Sequence, residues 1–308
     1  MHIGTVTCAI QRAHLKAIVN ISNVDIVYNN IGKWQTTDGV AANKKGCHML
    51  QKRRDSLGPE PRDSICASNK IGEDHGIGNH ILNALPPATL DRILPDLELV
   101  ITVQGQVIDQ VDRPIEYLYF VNRGLVSFVK TMHDGRMVEV GAVGIEGVTD
   151  PNALFGVDTA IVGSVVQVPG SAMRIRRDIL MREMERDAAL LDMMHKCARF
   201  TISQLMQTAA CNRLHTVEER CCRWLLIAHD CALAKSFPLT HEFLAMMLGV
   251  QRAGVSIAAR LLQRAGLIQY TRGRVTITDQ SGLKDAACEC YGAMRAEVKR
   301  LFGTPKRR

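Results

Sequence analysis

The 308-residue sequence lacks any apolar run that approaches the roughly 18–20 residues needed to cross a bilayer. Its first twenty residues are interrupted by Gln11, Arg12, His14 and Lys16, which makes a secretory signal a poor fit. The hydrophobic fraction is 46% and the charged fraction 22%, as in ordinary soluble globular proteins. We therefore expect a cytoplasmic protein without a membrane partner.

The sequence also lacks the residue patterns of catalysis. It contains no Ser/His/Asp constellation, no pair of histidines at metal-ligand spacing and no glycine-rich loop for a phosphate. His195, His215, His229 and His241 fall in helical patterns, where surface or core positions explain them. We therefore expect no enzymatic activity.

Ten cysteines are present, but their spacing shows no metal-binding pattern. Cys221 and Cys222 are adjacent inside a helical pattern, and Cys288 and Cys290 are too close to be two ordinary zinc ligands without a second pair. We interpret the cysteines as small buried hydrophobic residues. The sequence thus predicts no metal site and no cofactor.

The net charge of +7 is unevenly distributed. Residues 210–308 contain 16 Lys/Arg against 8 Asp/Glu, whereas residues 71–209 contain 12 against 18. A basic C-terminal third behind an acidic middle is the pattern expected when one domain meets a polyanion and the other does not.

The chain divides by pattern into five parts. Residues 1–75 show no sustained periodicity and are predicted to be a poorly ordered N-terminal extension, either a flexible arm or residues upstream of the true start. Residues 76–175 contain short β runs with glycine corners, including a hairpin turn at Asp134-Gly135, and predict an antiparallel barrel or jelly roll. A long helix is predicted over 176–210, a DNA-binding domain over 211–290 and a basic tail over 291–308.

The predicted long helix carries apolar residues at heptad spacing. Two seams at this spacing favour a helix that packs against its own copy in a homodimer. The alternative is a helix packed on its own barrel. The predicted dimerisation residues are Leu191, Met194, Ala198, Thr201 and Leu205.

Residues 239–278 predict a winged helix-turn-helix. Thr240 is placed as the N-cap of a first helix, and Gly249 falls where the turn needs a positive φ. Val255, Ala258 and Leu262 form the buried face of a second helix, which leaves a polar face for the major groove of double-stranded DNA.

The wing follows as two short strands with two arginines near the turn, placed for the phosphate backbone. The predicted DNA-contacting residues are Thr240, Gln251, Arg252, Ser256, Arg260, Arg264, Arg272 and Arg274.

The order of barrel, long helix and winged helix resembles the Crp/Fnr family of bacterial transcription regulators over about residues 77–290. The resemblance is carried by Gly105–Ile108, Tyr117–Val126, Cys211–Arg220 and the helix-turn-helix. It implies an α+β fold with an antiparallel β jelly-roll sensor domain, a long dimerisation helix and a C-terminal winged helix-turn-helix. It also implies a roughly palindromic operator and RNA polymerase as a partner.

The sequence departs from the cyclic-nucleotide binders of that family. In the corresponding loop the resemblance places effector contacts at Gly144, Glu146 and Thr159, but the phosphate-facing arginine is missing and Asp158 stands near its place. Cys8, Cys47 and Cys66 are too scattered to match the family's iron–sulfur sensors. We expect an unknown small-molecule or redox effector rather than cyclic AMP.

Two other functions stay open at this point. One is a regulator that does respond to a cyclic nucleotide. The other is a ligand-binding regulatory module without a DNA function of its own.

Overall fold

A computed structural model of the protein describes residues 18–21, 24–28, 34–36 and 77–303. The N-terminal part contributes a three-stranded antiparallel sheet of β1 (Ile18–Ile21), β2 (Val24–Tyr28) and β3 (Trp34–Thr36). The sequence analysis had not identified these strands. The rest of the predicted extension lies outside the described residues, and its predicted disorder stays a prediction.

The middle of the chain folds as one antiparallel sheet, which we call the barrel after the predicted barrel or jelly roll. Its central strands are very long, and the order is β4-β8-β6-β7, with β5 also paired to β8. The strands are β4 (Glu98–Thr102), β5 (Val107–Asp109), β6 (Tyr117–Thr131), β7 (Met137–Val143) and β8 (Gly163–Arg176). The predicted hairpin at Asp134-Gly135 joins β6 to β7, with Gly135 at φ +81°.

The short β runs with glycine corners that the sequence predicts are joined at Gly124, because the residues on both sides of this glycine form one continuous strand, β6. The register of β6 against β8 shifts three times between Val121 and Val126, which bends both strands. Gly124 lies at this bend with φ +98°, and a Cβ there would be 2.5 Å from the carbonyl oxygen of Val168. The glycine is therefore a bend within a strand and not the end of one.

The predicted helix over 176–210 is two helices, which corrects the sequence interpretation. After α1 (His80–Ala84) and α2 (Pro87–Ile93), the chain forms α3 (Arg177–Arg186) and α4 (Ala188–Leu214). Asp187 separates them because its carboxylate accepts from the amides of Ala189 and Leu190 as the N-cap of α4.

Two of the five predicted dimerisation residues are buried within the chain itself. Met194 and Ala198 are 0% and 3% exposed and belong to the core that the first half of α4 shares with α1, α3 and the barrel. For these residues the alternative of a helix packed on its own barrel is the right one. The second half of α4 differs, because Ile202, Leu205 and Met206 are exposed there.

The C-terminal part is helical with a small sheet. The capping box of Thr216 and Glu219 starts its first helix, α5. The elements are α5 (Val217–Ala232), β9 (Ser236–Pro238), α6 (His241–Leu248), α7 (Arg252–Arg264), β10 (Ile268–Thr271), β11 (Arg274–Ile277), α8 (Gln280–Asp285) and α9 (Cys290–Phe302).

The C-terminal part packs directly on the barrel. Leu125, Val129 and Val168 of the barrel share one core with α5, α6 and α7. Residues 291–302, which we had assigned to a basic tail, belong to α9, and Phe302 packs edge-on against Phe200 of α4 with ring centroids 6.1 Å apart. Within the described residues, no helix has the length and apolar character needed to span a membrane.

Candidate DNA-binding interface

The predicted helix-turn-helix is present as α6, a short turn and α7. Thr240 caps α6 as expected, since its hydroxyl accepts from the amide of Phe243 at 3.2 Å. Gly249 ends α6 with φ +63°. The next residues turn the chain so that α7 begins at Arg252 and crosses α6.

One face of α7 is buried and the other is free. Val255, Ala258 and Leu262 are 0%, 0% and 5% exposed, as the sequence predicted. The predicted readers Gln251, Arg252, Arg260 and Arg264 are all exposed on the opposite side or at the N-terminal end. Because the apolar residues of α7 pack on the core, the four polar side chains on its other side all extend into solvent.

Arg252 has a neighbour that the sequence analysis missed. Its Nε lies 3.6 Å from a carboxylate oxygen of Glu242 in α6. Both side chains are largely exposed, so the pair is weak. Glu242 and Arg252 are ten positions apart and lie on different helices. The sequence gives no simple signal for this pair, because only the crossing of the two helices brings the residues together.

Ser256 is less free than expected. Its hydroxyl donates to the carbonyl of Arg252 at 3.0 Å and lies 3.1 Å from Nδ1 of His241. The His241 ring packs at 4.5 Å on Tyr270 of β10, and burial lowers the pKa of His241. Ser256 therefore helps to tie the recognition helix to α6 and to the wing.

The wing has the predicted position and a tight turn. Strands β10 and β11 pair from Ile268–Ile277 to Thr271–Arg274, so the loop consists of Arg272 and Gly273. Both have a positive φ, +49° and +74°, as in a type I′ hairpin. Arg272 and Arg274 are exposed. Strand β9, which the sequence analysis had not identified, pairs with β11 and fixes the wing to the start of α6.

The three predicted effector residues have different neighbours, and their sharing of one effector site stays a prediction. Glu146 is enclosed, accepts from the amide of Gly144 at 3.1 Å and contacts the C-terminal part, and burial raises its pKa. A Cβ on Gly144 would meet Sγ of Cys231 in α5 at 2.2 Å. Thr159 instead is exposed and pairs with Pro114.

A cavity of about 680 Å³ lies between the barrel, α4, α5 and α9. Its walls carry acidic and basic groups, including Glu139, Glu146, Arg223, Asp230 and Arg295. Arg295 pairs with Asp230 at 2.5 Å. The cavity is thus a mostly apolar space with several charged side chains in its walls, at the boundary between the barrel and the C-terminal part.

The structure also gathers side chains that the sequence analysis did not connect. Cys211, His215, Cys288 and Cys290 place their ligand atoms within 4.8 Å of one another. Cys288 and Cys290 would need a second pair of ligands to bind a metal ion. Cys211 and His215, one helical turn apart at the end of α4, form such a pair. That i to i+4 spacing was the available signal.

Comparison with known proteins agrees with this architecture. Residues 219–286 match the Crp-like helix-turn-helix domain. No curated protein matches the sequence. Among solved structures, FixK2 from Bradyrhizobium japonicum is 18% identical with a TM-score of 0.52, and the alignment covers 62% of this chain and 98% of that one.

Two further structures give the same result. A putative Crp/Fnr-family transcriptional regulator from Eubacterium rectale is 19% identical with a TM-score of 0.53, covering 67% of this chain and 96% of its own. The c-di-GMP-responsive global regulator CLP from Xanthomonas campestris is 19% identical with a TM-score of 0.51, and the alignment covers 62% of this chain and 99% of that one. The chain therefore has the Crp/Fnr transcription-regulator fold, with a Crp-like helix-turn-helix domain.

Proposed function

From that fold and domain, we propose that the protein is a homodimeric, sequence-specific DNA-binding transcription regulator. The observation that carries the proposal is the amphipathic α7, which buries Val255, Ala258 and Leu262 and exposes Gln251 and Arg252 at its N-terminal end. N-terminal residues of a recognition helix meet base edges in the major groove.

The proposed division of labour follows from position. Arg252 donates two hydrogen bonds to a guanine, and Gln251 contacts a neighbouring base. Arg260 and Arg264, further along α7, bind phosphates, as do Arg272 and Arg274 of the wing. Thr240 and Ser256, whose hydroxyls are engaged within the protein, hold the two helices in place beside the DNA.

The proposed dimer uses the second half of α4. Ile202, Met206 and Ala209 lie on one exposed stripe, and Leu205 adjoins it. Two such helices side by side would present two recognition helices to successive major grooves of a roughly palindromic operator, about 34 Å apart. RNA polymerase is the further partner that regulation of transcription requires.

We propose that the effector is not cyclic AMP or cyclic GMP. Asp158 is exposed in the loop, and inside the barrel burial, together with repulsion from the buried carboxyl of Asp150, raises the pKa of Asp109 to about 7. A cyclic phosphodiester gains nothing from carboxylates. Arg177 contacts the loop from outside it, since this arginine belongs to α3 and donates a hydrogen bond to the carbonyl of Gly156 at 3.4 Å.

DNA binding is tested with an operator selected from random duplexes and measured by gel shift at fixed salt. Arg252→Ala with Arg260→Ala should weaken specific binding at least about 100-fold, since a bidentate base contact is worth about 1–3 kcal/mol per half-site. Arg182→Ala with Arg186→Ala, two exposed arginines on α3, is the matched control. Equal affinity of the two double variants would show that α7 does not read the operator.

The two alternative functions, a ligand-binding module and a cyclic-nucleotide-responsive regulator, predict different experimental results. Failure to select any sequence would favour a ligand-binding regulatory module without DNA function. Calorimetry with cyclic AMP, cyclic GMP and cyclic di-GMP tests the effector, the last because the Xanthomonas regulator of the same fold responds to it. Tight binding of either mononucleotide would overturn our interpretation of the loop.

A further inference from the structure

Four potential metal ligands converge where α4 ends and α9 begins. Cys211 lies in the last turn of α4 and His215 caps that helix, while Cys288 and Cys290 lie at the start of α9. The Sγ atoms of Cys211 and Cys288 are 3.6 Å apart, and Sγ of Cys290 is 3.6 Å from Nδ1 of His215. The three cysteines are at most 4% exposed.

We propose that these four side chains bind one divalent metal ion of the zinc type. A tetrahedral zinc ion has bonds of about 2.3 Å to sulfur and about 2.0–2.1 Å to nitrogen. Those bonds place two sulfurs about 3.8 Å apart and a sulfur and a nitrogen about 3.6 Å apart. The two separations in the structure match these edges of the tetrahedron within about 0.2 Å.

The surroundings of the four ligands fit a metal site. Nε2 of His215 lies 3.0 Å from a carboxylate oxygen of Glu289, so Nδ1 is the nitrogen left for the ion. Metal-bound histidines commonly make such a bond to a carboxylate through their other nitrogen. Nε2 of Gln207 donates to Sγ of Cys290 at 3.0 Å, as donors do to a metal-bound thiolate.

The charge nearby also fits. Three thiolates, a neutral histidine and a divalent ion carry a net charge of −1. Arg220 and Arg223 of α5 are buried and close enough to Cys211 to interact with it electrostatically. Their Nε atoms have no hydrogen-bond partner among the described residues. Nη2 of Arg220 donates to the carbonyl of Leu248, and Arg223 lies near Glu139. The remaining positive charge beside the thiols is costly to bury, and an anionic metal centre would offset it.

Two other arrangements fit less well. A disulfide between Cys211 and Cys288 needs the sulfurs about 2.05 Å apart and leaves Cys290 and His215 unexplained. An iron–sulfur cluster with several irons holds its cysteines around a larger core than four atoms within 4.8 Å enclose.

The site joins two segments that the chain separates by more than seventy residues. Cys211 and His215 lie at the end of α4, just before α5, and Cys288 and Cys290 follow the wing and α8. A bound ion would fasten the end of α4 to the far end of the DNA-binding domain. The inferred role is therefore structural, fixing the angle at which that domain leaves the long helix.

The test is metal analysis of the full chain, expressed with zinc in the medium and purified without an affinity tag. We expect about one zinc per chain in the wild type and almost none after Cys288→Ser with Cys290→Ser. Cys231→Ser, at a buried cysteine outside the cluster, is the matched control and should retain the ion.

A second variant covers the case in which the double serine variant does not fold. His215→Cys keeps four ligands, so it should still bind one ion, and loading with cobalt(II) should change the thiolate charge-transfer spectrum from that of three sulfurs to that of four. A metal-free wild type, a Cys211–Cys288 disulfide found by mass spectrometry, or equal metal content in the wild type and the serine variant would each overturn the proposal.

Discussion

At the scale of single residues, Glu139 joins the barrel to the DNA-binding domain. Its carboxyl group, at the boundary with α5, accepts hydrogen bonds from Ser127 of β6 and from Nε1 of Trp224, the latter at 3.4 Å. Burial raises the pKa of Glu139 from 4.5 to about 7. A buried acid with this pKa changes its charge near neutral pH, and it does so between the two parts of the molecule.

The raised pKa fixes the sign of a pH effect. The folded protein holds a proton on Glu139 that the unfolded chain loses above about pH 4.5, so its contribution to stability is present below that pH and is lost as pH rises to about 7. Glu139→Gln removes this loss. Between pH 5 and 8 the variant should gain roughly 3 kcal/mol relative to wild type in the free energy of unfolding by urea.

Glu185→Gln, an exposed glutamate on α3, is the control and should follow the wild type at each pH. If Glu139→Gln and wild type show the same pH dependence, Glu139 is ionised in the folded protein.

Gly249 gives a second prediction at this scale. It has φ +63°, and an added Cβ would lie 3.0 Å from Cγ2 of Val138 in β7. Gly249→Ala should therefore lower the free energy of unfolding by about 1–2 kcal/mol. Gly254→Ala, inside α7 with open space around it, should raise it by about 0.5–1 kcal/mol. Urea unfolding of both variants checks the opposite signs, and a change of the same sign in both would contradict the explanation.

At the scale of elements, the sequence predicts what local chemistry decides. Thr240 and Gly249 mark the ends of α6, and apolar residues three or four positions apart mark the buried face of α7. The unbroken course of β6 could not be predicted, because Gly124 signals a bulge and a strand end equally well. The break at Asp187 was also missed, although an aspartate is a good N-cap, because the apolar pattern continues on both sides of it.

The second half of α4 carries the prediction at this scale. Met206 is 69% exposed on the stripe that we propose as the dimer contact. Met206→Asp would bury an unpaired charge there and should weaken dimerisation by at least about 100-fold, or about 3 kcal/mol. Sedimentation equilibrium measures this, and Met132→Asp, at an exposed methionine of the barrel, should leave the dimer intact. Equal dimer affinities would place the interface elsewhere.

At the scale of the whole molecule, separation along the chain decides what the sequence could reveal. The proposed DNA-contacting residues lie within 35 positions of one another, so a local pattern contains them. The four proposed metal ligands come from two pairs of residues, which meet only when the end of α4 packs against the C-terminal part of the chain. The converse holds for Gly144 and Thr159, which are near in sequence but have different neighbours, Cys231 and Pro114 respectively.

The wing supplies a prediction for the proposed dimer bound to DNA. Arg272→Asn removes a charge but keeps the turn, since asparagine tolerates the positive φ that Arg272 has. Loss of one phosphate contact per half-site should reduce the slope of log affinity against log salt by about 2. The loss should be similar on specific and non-specific duplexes. Arg182→Asn should keep the wild-type slope, and a loss confined to the specific operator would make Arg272 a base reader.

The placement of Trp224 has a practical consequence for observing the molecule at work. The chain has two tryptophans, Trp34 and Trp224, and Trp224 is 3% exposed with its indole nitrogen directed at the barrel. After Trp34→Phe, the emission of the protein would come from this one boundary position. The wavelength and intensity of this emission would then report the packing of the DNA-binding domain on the barrel in real time, without any attached dye.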